Sequence, residues 1–181
     1  MTTTPSTPFG EVTRDGDAVV LTYERTLTHS PDKVWRAITE SEHLHAWFPV
    51  DIIGERLVGA SITLPFWPEA VEQVGDEIES AGVPLDDPTL SGEILAWNPP
   101  HTFAFTWDSE RIRFDLSPTP EGTRLVTVVH VIDPAERGWP SNAAGYHACL
   151  DALEASLDGR RIDIFEQAGI PQLEATYSER G

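Results

Sequence analysis

From Ala18 onward the chain alternates. In VVLTYERTL (19–27), Val19, Leu21, Tyr23, Arg25 and Leu27 fall on one face and Val20, Thr22, Glu24 and Thr26 on the other. That period of two predicts a strand with one mostly apolar side. The period then lengthens. Ser30 is a good N-cap, Pro31 suits the first helical position, and Val34, Trp35 and Ile38 follow at helical spacing. Thr39 to Glu42 has capping-box spacing, and Ser41 could equally cap a second short helix that buries Leu44, Trp47 and Phe48 before Pro49 ends it. Two short consecutive helices are therefore predicted directly after the first strand.

Alternation then returns. ASITLPF (60–66), GEILAWNPP (92–100), HTFAFTW (101–107), RIRFDL (111–116) and GTRLVTVVHVID (122–133) all read as strands. Phe103, Phe105 and Trp107 share a face, as do Ile112, Phe114 and Leu116, with Arg113 and Asp115 turned outward. Short connections between several of these runs predict an antiparallel meander. Residues 68–89 interrupt it with Val71, Val74, Ile78 and Ala81 on one side of an acidic helix, followed by a Gly/Pro/Asp-rich loop. They read as an insertion or lid. Finally Trp139, Ala143, Tyr146, Leu150, Leu153 and Leu157 step by four and three residues along one long helix that stops at Gly159. RIDIFEQAGI (161–170) predicts a shorter helix in a C-terminal extension, 161–181. Residues 1–17, rich in Thr, Pro and Gly, read as a disordered leader, which leaves 18–160 as the folded domain.

The resulting order is a strand, two short helices, a meander and a long helix, an α+β fold. The long helix has one natural place to bury its stripe, the face of a curved sheet. Four segments carry a resemblance to a known family: ERTLTHSPDKVWRAITESEHLHAWFP, SGEILAWNPPHTFAFTW, RIRFDLSPTPEGTRLVTVVHV and AAGYHACLDALEASLDG. In this order they resemble the helix-grip superfamily of START and birch-pollen-allergen-like proteins, and more closely its bacterial branch similar to the activator of Hsp90 ATPase. The family's usual Gly-Trp-His at the head of the last helix is here Gly145-Tyr146-His147. The resemblance implies a curved antiparallel sheet wrapped around the C-terminal helix, with a cavity between them for an apolar or aromatic molecule such as a lipid or polyketide.

Composition narrows the partners. The 181 residues carry a formal charge of −18, and Lys33 is the single lysine among twelve cations. Such a surface repels phosphate backbones and anionic lipid, which argues against nucleic acid. No apolar run approaches the roughly 20 residues of a membrane span, so membrane insertion is not expected. MTTTPSTPFG lacks the cationic and apolar regions of a secretory signal, and a cytoplasmic location is the expectation. Cys149 is the single cysteine, so no internal disulfide forms.

Candidate chemistry is sparse. His43 and His45 lie about 200° apart around a helix and cannot share a metal. Glu42 and His45 have a ligand-pair spacing but no second pair, so no metal and no cofactor are expected. His147 and Asp151, four apart, form either an acid–base dyad or a surface ion pair, and the strip His147, Asp151, Glu154, Asp158 reads as a solvated face. His130, in the last strand, reads as a buried, hydrogen-bonded histidine. Cys149 reads as a packing residue. The aromatics are the positive signal. Trp47, Phe66, Phe103, Phe105, Trp107, Phe114 and Tyr146, with His147 and Leu150, are the candidate ligand-binding residues, and Tyr146, His147 and Arg113 the candidate polar anchors. Trp35 and Trp97 are assigned to the core. The leading reading is a carrier, sensor or sequestering protein for a hydrophobic small molecule. A cyclase- or aromatase-like enzyme and a protein-interaction domain modulating a chaperone or transcription regulator are the alternatives. A homodimer and a protein partner are compatible with this reading.

Overall fold

The structure is a computed structural model, and it describes residues 9–132, 138–165 and 169–180. One eight-stranded antiparallel sheet has the order β1-β2-β8-β7-β6-β5-β4-β3. The strands are β1 (Glu11–Asp15), β2 (Ala18–Leu27), β3 (Ile53–Gly54), β4 (Ser61–Pro65), β5 (Thr89–Asn98), β6 (Thr102–Trp107), β7 (Glu110–Thr119) and β8 (Gly122–Val131). The helices are α1 (Pro31–Thr39), α2 (Ser41–Leu44), α3 (Pro68–Ser80), α4 (Trp139–Leu157) and α5 (Ile170–Ser178). The architecture is the α+β helix-grip fold expected, with α4 laid against the concave sheet.

The alternating strand pattern does what its chemistry requires. On β2, Val19, Leu21, Tyr23, Arg25 and Leu27 are all buried, and on β7 Ile112, Phe114 and Leu116 are buried while Arg113 is exposed and paired with Asp115 at 2.7 Å. Ser30 caps α1 by accepting from the Lys33 N–H at 3.4 Å, with Pro31 in the first turn. The Trp47 indole N–H donates to the Ala37 carbonyl at 2.9 Å and ties α2 to α1. Trp35, Trp97 and Phe103 interlock at centroid separations of 5.0–6.3 Å under α1. The start of β8 approaches the end of β2 so closely that a Cβ on Gly122 would lie 2.1 Å from the Leu27 carbonyl oxygen, at a φ of +151°. Only glycine fits there.

Four features depart from the sequence reading. Residues 11–15, expected within a disordered leader, pair antiparallel with β2 as an edge strand, while residues 1–8 lie outside the described residues. The run EVTRD is mostly polar because its side chains are exposed, which hid it. Helix after α4 begins at Ile170 rather than within 161–165. And α4 is buried on nearly every side, because α5 and the residues before β1 pack on it in addition to the sheet. His147 is 4% exposed there, so the expected solvated strip breaks at its first member. His130, expected buried, is only half-buried.

Candidate functional site

Between the sheet and α4 lies a cavity of about 300 Å³. One wall is the end of the β6–β7 hairpin. Trp107 closes β6, Asp108 turns the chain at a left-handed φ of +53°, and Glu110 opens β7 directly opposite Trp107. A second wall is α3 and its following loop, which offer Val74, Ile78 and Val83. Phe48 and Phe66 add rings beside Trp107, at centroid separations of 5.2 and 6.3 Å. Ile164, Phe165 and Ile170 contribute apolar surface from the chain beyond α4. The fourth wall is α4 itself, through Ser141, Asn142, Gly145, Tyr146 and Cys149, whose spacing by three and four residues places them along one side of the helix.

The polar groups gather at one end. The Glu110 carboxylate accepts from the Asn142 amide through one oxygen and from the Tyr146 hydroxyl through the other. Burial pushes the Tyr146 phenol well above its ordinary pKa, and the Glu110 charge pushes it the same way, so it remains a protonated donor. The Trp107 indole N–H is buried with no partner among the described residues. Burial likewise raises the Cys149 thiol to about 12, which leaves it no nucleophile at neutral pH. The charged residues among the described lining are Glu77, Asp108 and Glu110; none is Lys, Arg or His. Chemically the site can hold an apolar body and offer a carboxylate, a phenol and an amide to its polar end.

Of the residues singled out from sequence, Phe66, Trp107 and Tyr146 line this cavity. Phe103, Phe105, Phe114 and Leu150 do not; they are at most 2% exposed within the main core, Phe103 stacking on Phe105 at 5.1 Å and on Phe114 at 6.4 Å. Trp47 is likewise core, packed on Phe48 and Phe114, and lines a smaller pocket of about 50 Å³ near Trp67. The aromatics thus form two populations, because β6 side chains near the strand's middle meet α1 and α2 while Trp107, at its end, meets the cavity. Arg113 points outward to Asp115 and is no anchor. Glu110, Asn142 and Gly145 were missed. The signal available was the column Asn142, Gly145, Tyr146, Cys149 beside the stripe, together with an acid placed just after the turn that follows Trp107.

His147 belongs to a different assembly on the far side of α4. Its Nε2 lies 3.3 Å from Asp151 Oδ2, and its Nδ1 lies 2.9 Å from the Tyr177 hydroxyl. With the proton on Nε2 facing the carboxylate, Nδ1 accepts from Tyr177 O–H, whose oxygen in turn accepts from the Gly10 N–H at 2.8 Å. Asp151 Oδ1 meets Arg25 Nη2 at 3.2 Å, and Arg25 is 5% exposed. Tyr23 donates to the Ala143 carbonyl at 2.8 Å. Phe9 packs on His147 and Tyr177 at 5.0 and 5.6 Å. Burial raises the Asp151 pKa, but the hydrogen bond and charge of His147 together with Arg25 outweigh it, and the net shift is downward. The network clamps β2, α4, α5 and the N-terminal segment together. It faces away from the cavity and is structural. Elsewhere Glu40, Glu42 and His43 bring ligand atoms within 4.8 Å of one another on exposed surface, a grouping that the Glu42–His45 spacing did not indicate.

A curved antiparallel sheet gripping one long helix, with a cavity walled by both, defines a helix-grip protein whose fold is compatible with small-molecule binding. The chain belongs to the Activator of Hsp90 ATPase homolog 1-like protein family, whose sequence profile matches residues 28–158. A conserved protein of unknown function from Enterococcus faecalis is similar in structure, with a TM-score of 0.73 at 21% identity, covering 94% of this chain and 89% of its own. A Bordetella parapertussis protein solved by solution NMR has a TM-score of 0.66 at 22% identity, covering 98% and 94%. A Mesorhizobium loti protein has a TM-score of 0.60 at 23% identity, covering 79% and 99%. No curated protein sequence matches the chain. Among the described residues no helix is long and apolar enough to cross a membrane.

Proposed function

We propose that the protein binds a hydrophobic or aromatic small molecule in the cavity between its sheet and α4, as a carrier, sensor or sequestering protein. The observation that carries this reading is the combination of an apolar space of about 300 Å³ with polar groups gathered at one end. Mostly apolar walls with a few convergent polar groups are the usual character of a ligand pocket, and the volume falls at the lower end of the usual range. In this reading α3 serves as a movable roof. It has no side-chain N-cap, breaks helical geometry at Val74 and buries only Ala70 and Ile78. Native mass spectrometry of freshly purified protein, followed by analysis of an organic extract, tests it. A defined non-covalent adduct, or saturable fluorescence of the neutral probe N-phenyl-1-naphthylamine, is expected. A bare mass together with no probe binding overturns it.

One observation favours a second reading, an enzyme of the cyclase or aromatase kind. Glu110, Asn142 and Tyr146 converge inside the cavity, and burial keeps Tyr146 protonated. A substrate oxygen could take the second Asn142 N–H directly, and the single Tyr146 proton by displacing Glu110. Under this reading Tyr146→Phe leaves ligand affinity within a few-fold of wild type and removes turnover of that ligand. An unchanged ligand after prolonged incubation with wild type counts against it.

A further inference from the structure

Gly145 sits in the interior of α4, where glycine costs roughly 0.8–1 kcal/mol relative to alanine. Two ordinary reasons keep glycine in such a place, and neither applies. Its backbone is not in the left-handed region that only glycine tolerates, and among the described residues no packed neighbour needs the room, because a Cβ built there meets none of them within 4 Å. The open space it faces is the cavity, which it lines together with Asn142 and Cys149. Asn142 is turned to Glu110, and the Cys149 side chain is small. A stretch of helix backbone is therefore laid bare beside the polar end of the cavity, facing a space that Phe48, Phe66 and Trp107 wall with rings.

Charge sets a further condition. The described lining carries three carboxylates and no cation. A ligand carboxylate or phosphate would meet the half-buried Glu110 at the polar end, with the exposed Glu77 and Asp108 adding weaker, solvent-screened repulsion, and no cation among the described lining offsets them. A ligand hydroxyl or amine instead meets acceptors. A carboxylate offers about four lone-pair sites, so a ligand donor adds to the bonds Glu110 already makes.

Resting on the binding function proposed above, we propose that Gly145 is the specificity-determining position of the cavity. It is the seat on which an aromatic, non-anionic, donor-bearing ligand lies directly against the α4 backbone, and the side chain at 145 sets the size accepted. Equilibrium dialysis of the full chain against 1-naphthol, 1-methoxynaphthalene and 1-naphthoate tests it, with Gly145→Ala and Gly145→Leu alongside. Wild type is expected to bind 1-naphthol at least tenfold more tightly than the other two probes. Gly145→Ala is expected to raise Tm by about 2–4 °C, the usual gain from removing a mid-helix glycine in a chain of this length. The same change weakens 1-naphthol about tenfold, and Gly145→Leu abolishes it. A stabilised protein that binds less is an outcome that misfolding cannot produce. Unchanged 1-naphthol affinity in both variants overturns the seat while leaving the binding function standing. Tight binding of 1-naphthoate overturns the charge condition. Failure of wild type to bind any of the three, with a bare mass on extraction, overturns the binding function itself.

Discussion

Replacing Asp151 with alanine is expected to lower stability by about 2 kcal/mol, a figure bracketed by how its pair is buried. A fully exposed ion pair is worth about 0–1 kcal/mol, whereas stripping one partner from a fully buried pair costs about 3–5 kcal/mol. This pair lies between. Arg25 is 5% exposed, but the Asp151 side chain is 43% exposed, so water screens the acid while the cation stays largely desolvated. The loss also strips His147 Nε2 of its acceptor at 3.3 Å. Arg25 retains a backbone contact to the Glu24 carbonyl at 3.4 Å, which limits the damage. In a chain of this length 2 kcal/mol corresponds to a Tm fall of about 4–8 °C, measurable by calorimetry at pH 7. The pH dependence has a definite sign. The folded-state pKa of Asp151 is depressed, so its contribution is fully present above the unfolded value of about 3.9 and is lost as pH falls through the lower folded value. The gap between wild type and Asp151→Asn should therefore persist above pH 5 and close in strong acid. Arg25→Met combined with Asp151→Ala should cost less than the two single losses added, because the two groups share one ion pair and its loss is counted once. A Tm change below 1 °C for Asp151→Ala, or strict additivity in the double variant, refutes the reasoning.

Three further outcomes follow from the packing. Tyr177→Phe removes the hydroxyl shared by His147 and the Gly10 N–H at a fully buried position, and chemical denaturation should report a loss of about 1–3 kcal/mol. Trp35→Ala empties the space between Trp97 and Phe103, and the same assay should show about 3–5 kcal/mol, a large share of a typical domain's stability. Cys149, with its thiol raised to about 12, should resist a disulfide reagent at pH 8 in the native state and react at once in denaturant; rapid native labelling would show that the cavity wall opens.

The strands and helices were legible because one face of each is buried and the other is not. β2 and β7 alternate with scarcely an exception, and α4 was readable to its last residue, since its apolar steps and Gly159 mark the same end. Legibility failed where burial has no period. β1 is an exposed edge strand whose polar side chains carry no alternation. α4 is buried all round, so a stripe drawn through one face could not tell the cavity side from the side held by β2 and α5, where His147 lies. Half of the candidate site was hidden for a related reason. Which aromatics line a space and which fill one depends on position along a strand: Phe105 and Trp107 share a face with only Thr106 between them, yet one stacks in the core and the other walls the cavity. Glu110 was invisible because its role comes from the cross-strand pairing with Trp107, which periodicity places only once the hairpin turn is known.

The two sides of α4 also explain one another. A space of about 300 Å³ walled largely by apolar side chains represents contacts forgone, and a loosely held helix would settle into it. α4 is not loosely held. Tyr23 fixes the Ala143 carbonyl, Arg25 fixes Asp151, Tyr177 fixes His147, and Lys33 fixes the Leu157 carbonyl at 2.8 Å, all away from the cavity. On the cavity side Glu110 spans to Asn142 and Tyr146 and acts as a strut between hairpin and helix. Residues at 142, 145, 146 and 149 therefore face open space because residues at 143, 147, 151 and 157 are anchored. The buried polar network contributes no group to the cavity, yet it holds the helix that walls it, and loss of the network should diminish the cavity before it unfolds the protein.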